Sequence, residues 1–200
     1  MHRNRSLAIM TVLLFFPAVA FGWEENLEIG RLFNNAHING TFILYDVAND
    51  KLVGYNHSRA ETRYIPASTF KIANSLIGLA TGVVKNVDDV LPYKGPAKPF
   101  IAAWGHDMGL RQAIALSNVP IYQELARRIG SQRMQEGLLK LHYGNQKVGD
   151  AIDRFWLDGP LKISAVEQTE LLAKLVQETL PLPKQIQKNV QEILLLEQGK

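Results

Sequence analysis

The pattern of apolar residues in residues 40–56 predicts a β-hairpin. Residues 40–47 and 51–56 are rich in β-branched and aromatic side chains, which favour strands. The three residues between Val47 and Lys51 have the composition of a turn. We therefore expect two antiparallel strands, and these need a helix or further strands to pack on, because an isolated hairpin is marginally stable.

Helical spacing of apolar residues follows the hairpin. Residues 68–81 are apolar on most faces, which is typical of a buried central helix, and Gly82 is predicted to end it. Ser131 is predicted to cap a later helix. Residues 131–141 form that helix, and helices or helix-turns are also predicted in three other segments: residues 23–37, 108–116 and 120–129.

Two more helices are predicted towards the C-terminus. Ser164 is followed three residues later by Glu167, a spacing that predicts a capping box. The final helix has an apolar stripe formed by Ile186, Val190, Ile193 and Leu194. At least six helices and about two strands indicate an α+β fold, a helical lobe on a sheet that the chain begins but does not finish.

The first twenty residues have a different character. A basic start precedes an apolar run over residues 7–16, and Ala18-Val19-Ala20 has the small residues of a cleavage site. This pattern predicts a secretory signal peptide over residues 1–20 and export, to the periplasm, without a stable membrane anchor. Cleavage after Gly22 and a buried N-terminal helix are the alternatives.

Charge and cysteine content limit the partners and the kind of stabilisation that we expect. The chain has 22 Lys and Arg against 19 Asp and Glu, for a net charge of +3. Loss of Arg3 and Arg5 with the signal peptide would leave 20 against 19, a net charge of +1. Nothing here favours a nucleic-acid partner. Because cysteine is absent, stability must come from core packing rather than disulfides.

The most informative motif is residues 66–71, Pro-Ala-Ser-Thr-Phe-Lys. Ser68 and Lys71 lie three residues apart and therefore on one face of a helix. A lysine in an apolar environment has a lowered pKa and can act as a base beside a serine nucleophile. A serine and a lysine at this spacing also occur by chance about once in a chain of this length, so the pair alone is weak evidence.

Three further motifs strengthen the interpretation of Ser68 and Lys71 as a nucleophile and its base. Ser117-Asn118-Val119, Tyr143-Gly144-Asn145 and the block that begins Phe155-Trp156-Leu157 follow in order. With Ser68-x-x-Lys71, the set resembles the class D (oxacillinase-type) serine β-lactamases over almost all of residues 21–200. The resemblance implies a penicillin-binding, transpeptidase-like domain of the β-lactamase α+β fold, with the helical lobe packed on an antiparallel sheet.

The resemblance also implies roles for individual residues. Ser68 would be the nucleophile that opens a β-lactam ring to form an acyl-enzyme. Lys71 would be the general base, modified by carbon dioxide to N6-carboxylysine. Ser117 would pass a proton to the departing nitrogen. No other cofactor is implied. No metal is expected, because no two histidines have ligand spacing.

Other residues would support the site. The resemblance implies apolar walls from Phe70 and Val119, further support from Leu157, and a hydrogen bond from the Trp156 indole N–H to the carbamate. The motif Tyr143-Gly144-Asn145 would shape the site wall, and the Ser68 backbone N–H would be one oxyanion donor. From the residues alone, Trp156 could be a core residue, Ser117 a helix cap and Tyr143-Gly144-Asn145 a turn.

One base must serve both half-reactions if the resemblance holds. Class A enzymes activate the deacylating water with a separate glutamate. We find no glutamate motif of that kind in this sequence. A carbamate on Lys71 could act in both steps, whereas an ammonium could not.

The sequence departs from the family pattern near its end. No Lys-Thr-Gly or Lys-Ser-Gly follows the Trp156 block, and the last Gly-Lys is Gly199-Lys200. The resemblance implies a truncation that removes the carboxylate clamp, one oxyanion donor and the last strands of the sheet. Loss of one such donor costs about 100- to 1,000-fold in rate. We expect negligible hydrolysis of a chromogenic cephalosporin by residues 21–200, and aggregation through an uncovered hairpin edge and Ile186–Leu194 stripe.

Three other functions fit the same motifs. A β-lactam-sensing domain would acylate at Ser68 without deacylating. A cell-wall DD-peptidase is disfavoured by Val119, because a polar residue there would favour a peptidase-like site. An inactive remnant is the non-enzymatic alternative. Neither an oligomeric state nor a preferred β-lactam is predicted.

Overall fold

The computed structural model describes residues 22–195. The predicted signal peptide, residues 1–20, lies outside the described residues. Between residues 22 and 195 there are eight α-helices and one three-stranded sheet. This confirms the α+β class and the excess of helix over strand.

The predicted hairpin is present. Strand β2 (Phe42–Asp46) pairs antiparallel with β3 (Lys51–Tyr55), with Phe42 opposite Tyr55. The Asp46 carboxylate accepts hydrogen bonds from the backbone N–H groups of the next turn residues, Ala48 at 3.0 Å and Asn49 at 3.1 Å. The turn is therefore fixed by local side-chain chemistry that is visible in the sequence.

A third strand corrects the prediction of a helix or helix-turn over residues 23–37. Strand β1 (Gly22–Glu25) pairs parallel with β3, and helix α1 (Leu27–Asn35) begins only after the Asn26 cap. The strand order is β1-β3-β2, so one strand pair is antiparallel as predicted and the other is parallel. The Trp23 ring lies so close to Gly54 that a side chain there would overlap it. This long-range contact is not visible in the local pattern.

The central helix is confirmed, with a tighter start than predicted. A 3-10 turn (Ala67–Thr69) leads into α3 (Phe70–Ala80). The last helical residue is Ala80, and the chain turns away at Gly82, which has φ of +70°, while the Val83 N–H donates to the Gly78 carbonyl at 3.1 Å. A left-handed glycine with this backfolded hydrogen bond is the usual way to end a helix.

Apart from a short helix over residues 57–61, which the sequence pattern did not predict, the remaining helices lie close to their predicted positions. The capping box at Ser164 and Glu167 is confirmed, because each side chain bonds the other's backbone N–H. Ser131 is not a cap; it is the first residue of its helix, after Gly130, and makes no side-chain capping bond. The helices outside α1 and α3 are α2 (His57–Glu61), α4 (Leu110–Ala115), α5 (Val119–Ile129), α6 (Ser131–Leu141), α7 (Ala165–Val176) and α8 (Lys184–Leu194).

The expectation that the Ile186–Leu194 stripe lies uncovered is wrong. Helix α8 packs on α3 and α4, and its Val190 and Ile193 are almost fully buried. Ile186 and Leu194 are partly buried against the same core. Helix α3 also packs on α5 and α6, so the helical lobe closes around α3. This places the start of α3 beside the start of α5.

Candidate active site

Ser68, Lys71 and Ser117 lie within hydrogen-bonding distance of one another. Lys71 Nζ donates to Ser68 Oγ at 2.8 Å and to Ser117 Oγ at 3.1 Å. Ser117 Oγ is 3.1 Å from Ser68 Oγ. Ser68 is exposed to solvent, whereas Lys71 is 2% exposed. The fold therefore brings together a reachable hydroxyl, a buried amine and a second hydroxyl that contacts both.

The turn before Ser68 is strained. Ala67 has φ of +47°, in the left-handed region where a side chain costs about 1–2 kcal/mol. Its N–H donates to the Trp156 carbonyl at 3.0 Å, and the Thr69 side chain donates to the Pro66 carbonyl at 2.8 Å. The strained residue adjoins the exposed Ser68, and the turn is held by one hydrogen bond to the distant Trp156 and one within the turn itself. An alanine gives no turn signal, so the sequence did not reveal it.

Ser117 is held by the residues around it and is not a helix cap. Asn118 caps α5, because its side chain accepts from the Ile121 N–H at 3.2 Å. The Asn118 amide also donates to the Trp104 carbonyl at 3.1 Å, and the Trp104 indole donates to the Leu116 carbonyl at 2.9 Å. The capping alternative for Ser117 is therefore wrong, and its hydroxyl bonds Ser68 and Lys71.

Burial dominates the electrostatics of Lys71. Loss of water around the amine lowers the pKa of Lys71 from 10.5 to about 8. At pH 7 roughly one such lysine in ten is uncharged, far more than for an exposed lysine. The amine also lies 5.7 Å from the centre of the buried Tyr122 ring. The ring favours the ammonium form, so burial is the larger of the two effects.

A second layer beneath Lys71 was not predicted. The Ser75 hydroxyl donates to the Lys71 carbonyl at 2.8 Å and lies 2.8 Å from the Tyr122 hydroxyl. Because the Ser75 hydroxyl donates its own proton to the Lys71 carbonyl, it accepts a hydrogen bond from the Tyr122 hydroxyl. Both residues are fully buried. This layer joins α3 to α5 directly below the amine.

The aromatic residues of the predicted site form one cluster. The Phe70 ring lies 5.4 Å from the Tyr143 ring, 5.1 Å from Phe155 and 5.3 Å from Trp156, and all four side chains are buried. The two other predicted apolar residues are half-buried: Leu157 packs against the core, and Val119 is the first residue of α5.

Trp156 has an unsatisfied donor. Its indole N–H is buried and has no hydrogen-bond partner among residues 22–195. A buried donor without a partner costs about 1–3 kcal/mol, and such groups are rare in folded proteins. Trp156 packs on Phe70, the neighbour of Lys71 in sequence. The indole N–H is therefore available to an acceptor that residues 22–195 do not supply.

The Tyr143-Gly144-Asn145 motif anchors the chain that follows Trp156. The Asn145 backbone N–H donates to the Lys162 carbonyl at 2.9 Å, and its side chain accepts from the Lys162 N–H at 3.0 Å. The side-chain amide also donates to the Pro160 carbonyl at 2.8 Å. Gly144 has φ of +52°, and a side chain there would overlap the Lys162 carbonyl oxygen. The motif is thus a junction between two segments rather than a simple turn.

Gly144→Ala should destabilise the protein by about 2–4 kcal/mol, since it combines backbone strain with a steric clash. Gly82→Ala is the matched control, because Gly82 also has positive φ but open space around its missing side chain. It should cost only about 1–2 kcal/mol. Urea unfolding of both variants measures the difference, and equal losses would show that the contact with Lys162 is unimportant.

Comparison with known proteins agrees with this geometry. Residues 40–199 match the penicillin binding protein transpeptidase domain family. β-Lactamase OXA-19 of Pseudomonas aeruginosa is 40% identical over 189 residues, which cover 94% of this chain and 71% of that protein. The crystal structure of FUS-1 (OXA-85), a class D β-lactamase from Fusobacterium nucleatum subsp. polymorphum, superposes with a TM-score of 0.85 at 50% identity, covering 88% of this chain and 73% of that one. The regulatory protein BlaR1 of Bacillus licheniformis is 30% identical over 168 residues, covering 84% of this chain and 27% of that protein.

Proposed function

The chain belongs to the class D serine β-lactamase family, and from this membership we propose that Ser68, Lys71 and Ser117 hydrolyse β-lactams through an acyl-enzyme on Ser68. The observation that supports the proposal most strongly is the 2.8 Å hydrogen bond between the buried Lys71 amine and the exposed Ser68 hydroxyl. A base in contact with a reachable nucleophile is the arrangement that acyl transfer requires.

Acylation follows from the contacts of the three residues. The base at Lys71 takes the proton of Ser68, whose oxygen attacks the lactam carbonyl. The ring C–N bond then breaks, and the nitrogen must gain a proton. Ser117 contacts both other groups at 3.1 Å, so its hydroxyl can give its proton to the nitrogen and be reprotonated from Lys71.

We propose that Lys71 is carboxylated by carbon dioxide. The neutral amine attacks carbon dioxide and releases one proton, a reaction that a pKa of about 8 permits near neutral pH. The apolar surroundings and the unpaired Trp156 indole N–H suit the product, because the indole can donate to a carbamate oxygen. The carbamate supplies one base that can deprotonate Ser68 and later the deacylating water.

Intact-mass spectrometry after incubation with a penicillin tests the nucleophile. One acylation event over hours is sufficient, so the test does not depend on fast turnover. The chain should gain the mass of one β-lactam, peptide mapping should place it on Ser68, and Ser68→Ala should gain nothing. An adduct that persists in Ser68→Ala would contradict the proposal.

A sensing function is the second candidate, supported by the 30% identity with the regulatory protein BlaR1. A sensor keeps its acyl group, whereas a hydrolase releases it. After excess penicillin is removed, the adduct on Ser68 should disappear if the chain is a hydrolase. A stable adduct in bicarbonate-containing buffer would favour the sensor.

We also propose that the protein acts after export to the periplasm, where β-lactams meet their targets. The proposal rests on the signal-peptide pattern of residues 1–20. None of the helices within residues 22–195 is long and apolar enough to cross a membrane. Fractionation of expressing cells tests it, and a cytoplasmic protein that retains its N-terminal residues would contradict it.

A further inference from the structure

The chain segment that contains Trp156 is fastened to α5 at one residue, Asp153. The Gln123 side chain donates to the Asp153 carbonyl at 3.0 Å, and Arg127 Nη1 donates to the Asp153 carboxylate at 2.7 Å. Gln123 and Arg127 are four residues apart and lie on one face of the helix. We call these three residues the Asp153 clamp.

The clamp is fixed at its other end by a buried charge. Glu124 is 3% exposed, and Arg127 donates to it at 3.2 Å. Arg128 and Lys94 also donate to Glu124, at 2.9 Å and 3.1 Å. Glu124 therefore keeps two cationic partners when Arg127 is replaced, so a change at Arg127 does not leave a buried charge unpaired.

Asp153 lies three residues before Trp156 in the same short segment. The segment is compact, since the N–H groups of Arg154 and Phe155 both donate to the Ala151 carbonyl, at 3.0 Å and 3.1 Å. The Trp156 carbonyl accepts from the Ala67 N–H at 3.0 Å, in the turn before Ser68. The segment is therefore held at Asp153 by the clamp and at the Trp156 carbonyl by the turn that contains Ala67.

Stability alone gives a weak reason for the clamp. The side chains of Arg127 and Asp153 are 34% and 30% exposed, and partly exposed ion pairs contribute about 0–1 kcal/mol. Their position offers a stronger reason, because α5 begins two residues after Ser117 and the clamp links it to the Trp156 segment. Helix α5 thus connects the Trp156 segment, which it bonds through Asp153, to Ser117, which lies two residues before its first residue.

We propose that the Asp153 clamp positions the Trp156 indole against Lys71 and thereby sets the affinity of Lys71 for carbon dioxide. This inference rests on the proposed carboxylation of Lys71. Gln123, Arg127 and Asp153 are positioning residues, because they act through Trp156 and touch no reacting atom. Loosening the clamp lets the indole N–H move away from the carbamate, which then loses its buried donor.

Titration of the full chain with ¹³C-bicarbonate, followed by the NMR signal of the lysine carbamate, tests the inference without β-lactam turnover. Arg127→Met should raise the bicarbonate concentration for half-saturation by about tenfold. Asp153→Asn should raise it similarly. The double variant should raise it no further than either single one, because both changes break the same contact.

Arg128→Met is the matched control, since Arg128 also bonds Glu124 and is similarly exposed, but it has no bond to Asp153 in the described structure. Its half-saturation should stay within about twofold of the parent chain, and Arg127→Lys should recover part of the loss. If Arg127→Met leaves the bicarbonate concentration for half-saturation unchanged, or if Arg128→Met raises it equally, this inference is overturned while the proposed function stands. The absence of any carbamate signal in the parent chain would overturn the proposed function, and this inference with it.

Discussion

Lys71→Met should slow acylation of Ser68 by about 100- to 10,000-fold, the usual contribution of a general base. Methionine fills a similar volume but can neither accept the Ser68 proton nor bind carbon dioxide. The rate is measured as accumulation of a fluorescent penicillin on the chain at saturating bicarbonate. Ser68 itself remains, so residual slow acylation at the same residue is expected. An unchanged rate would remove Lys71 from the reaction.

The same substitution should stabilise the fold in buffer free of carbon dioxide. The folded chain holds Lys71 with a pKa of about 8, against 10.5 for the ordinary group. At pH 7 Lys71 is mostly protonated in both the folded and the unfolded state, and the buried charge costs about 3 kcal/mol before its hydrogen bonds to Ser68 and Ser117 are counted. Lys71→Met should therefore raise the free energy of unfolding by about 1–3 kcal/mol.

The pH dependence of stability has a defined sign. Between pH 8 and pH 10.5 the unfolded state binds more protons at Lys71 than the folded state, so the parent chain gains stability as pH rises through this window. Lys71→Met lacks this gain, and its advantage should shrink from pH 7 to pH 10. Urea unfolding at several pH values measures the difference. A constant difference would show that Lys71 is not destabilised by burial.

Trp156→Phe should trap the acyl-enzyme. Phenylalanine keeps an aromatic ring against Phe70 but removes the indole N–H, which has no partner within the described residues. The carbamate on Lys71 would then lose its buried hydrogen-bond donor, and deacylation should slow by about 100-fold. Mass spectrometry follows the decay of the adduct on Ser68 after excess penicillin is removed.

Trp23→Phe is the control for this experiment, because Trp23 lies in β1 and its indole already donates to Glu25 at 2.7 Å. The adduct on this variant should decay at the parent rate. If Trp156→Phe also decays at the parent rate, the indole takes no part in deacylation and Trp156 is a core residue only.

Features determined by neighbouring residues were predictable from the sequence. Asp46 fixes the turn after β2, Ser164 and Glu167 form a capping box, and Gly82 ends α3 with a positive φ. In each case the stabilising group lies within five residues of the backbone that it satisfies. The short motifs at Ser68 and Ser117 predicted the site, although their hydroxyls meet only through folding.

Features determined by contacts between distant residues were not predictable from the sequence. Strand β1 depends on the fit of Trp23 against Gly54, and helical spacing within residues 23–37 hid it. The positive φ of Ala67 and the contact of Tyr122 with Lys71 have no local signal either. Composition cannot show which residues bring a strained turn or a buried ring to the nucleophile, because those positions are set by the packing of α3 and α5.

The central claim is that Lys71 becomes a carbamate beside Ser68, and ¹³C NMR in ¹³C-bicarbonate tests it most directly. The parent chain should show one slowly exchanging carbamate signal near neutral pH, which Lys71→Met lacks and Trp156→Phe weakens. Acidification should abolish the signal, because the amine is then fully protonated. A parent chain without the signal at saturating bicarbonate, or a Lys71→Met variant that retains it, would contradict the account.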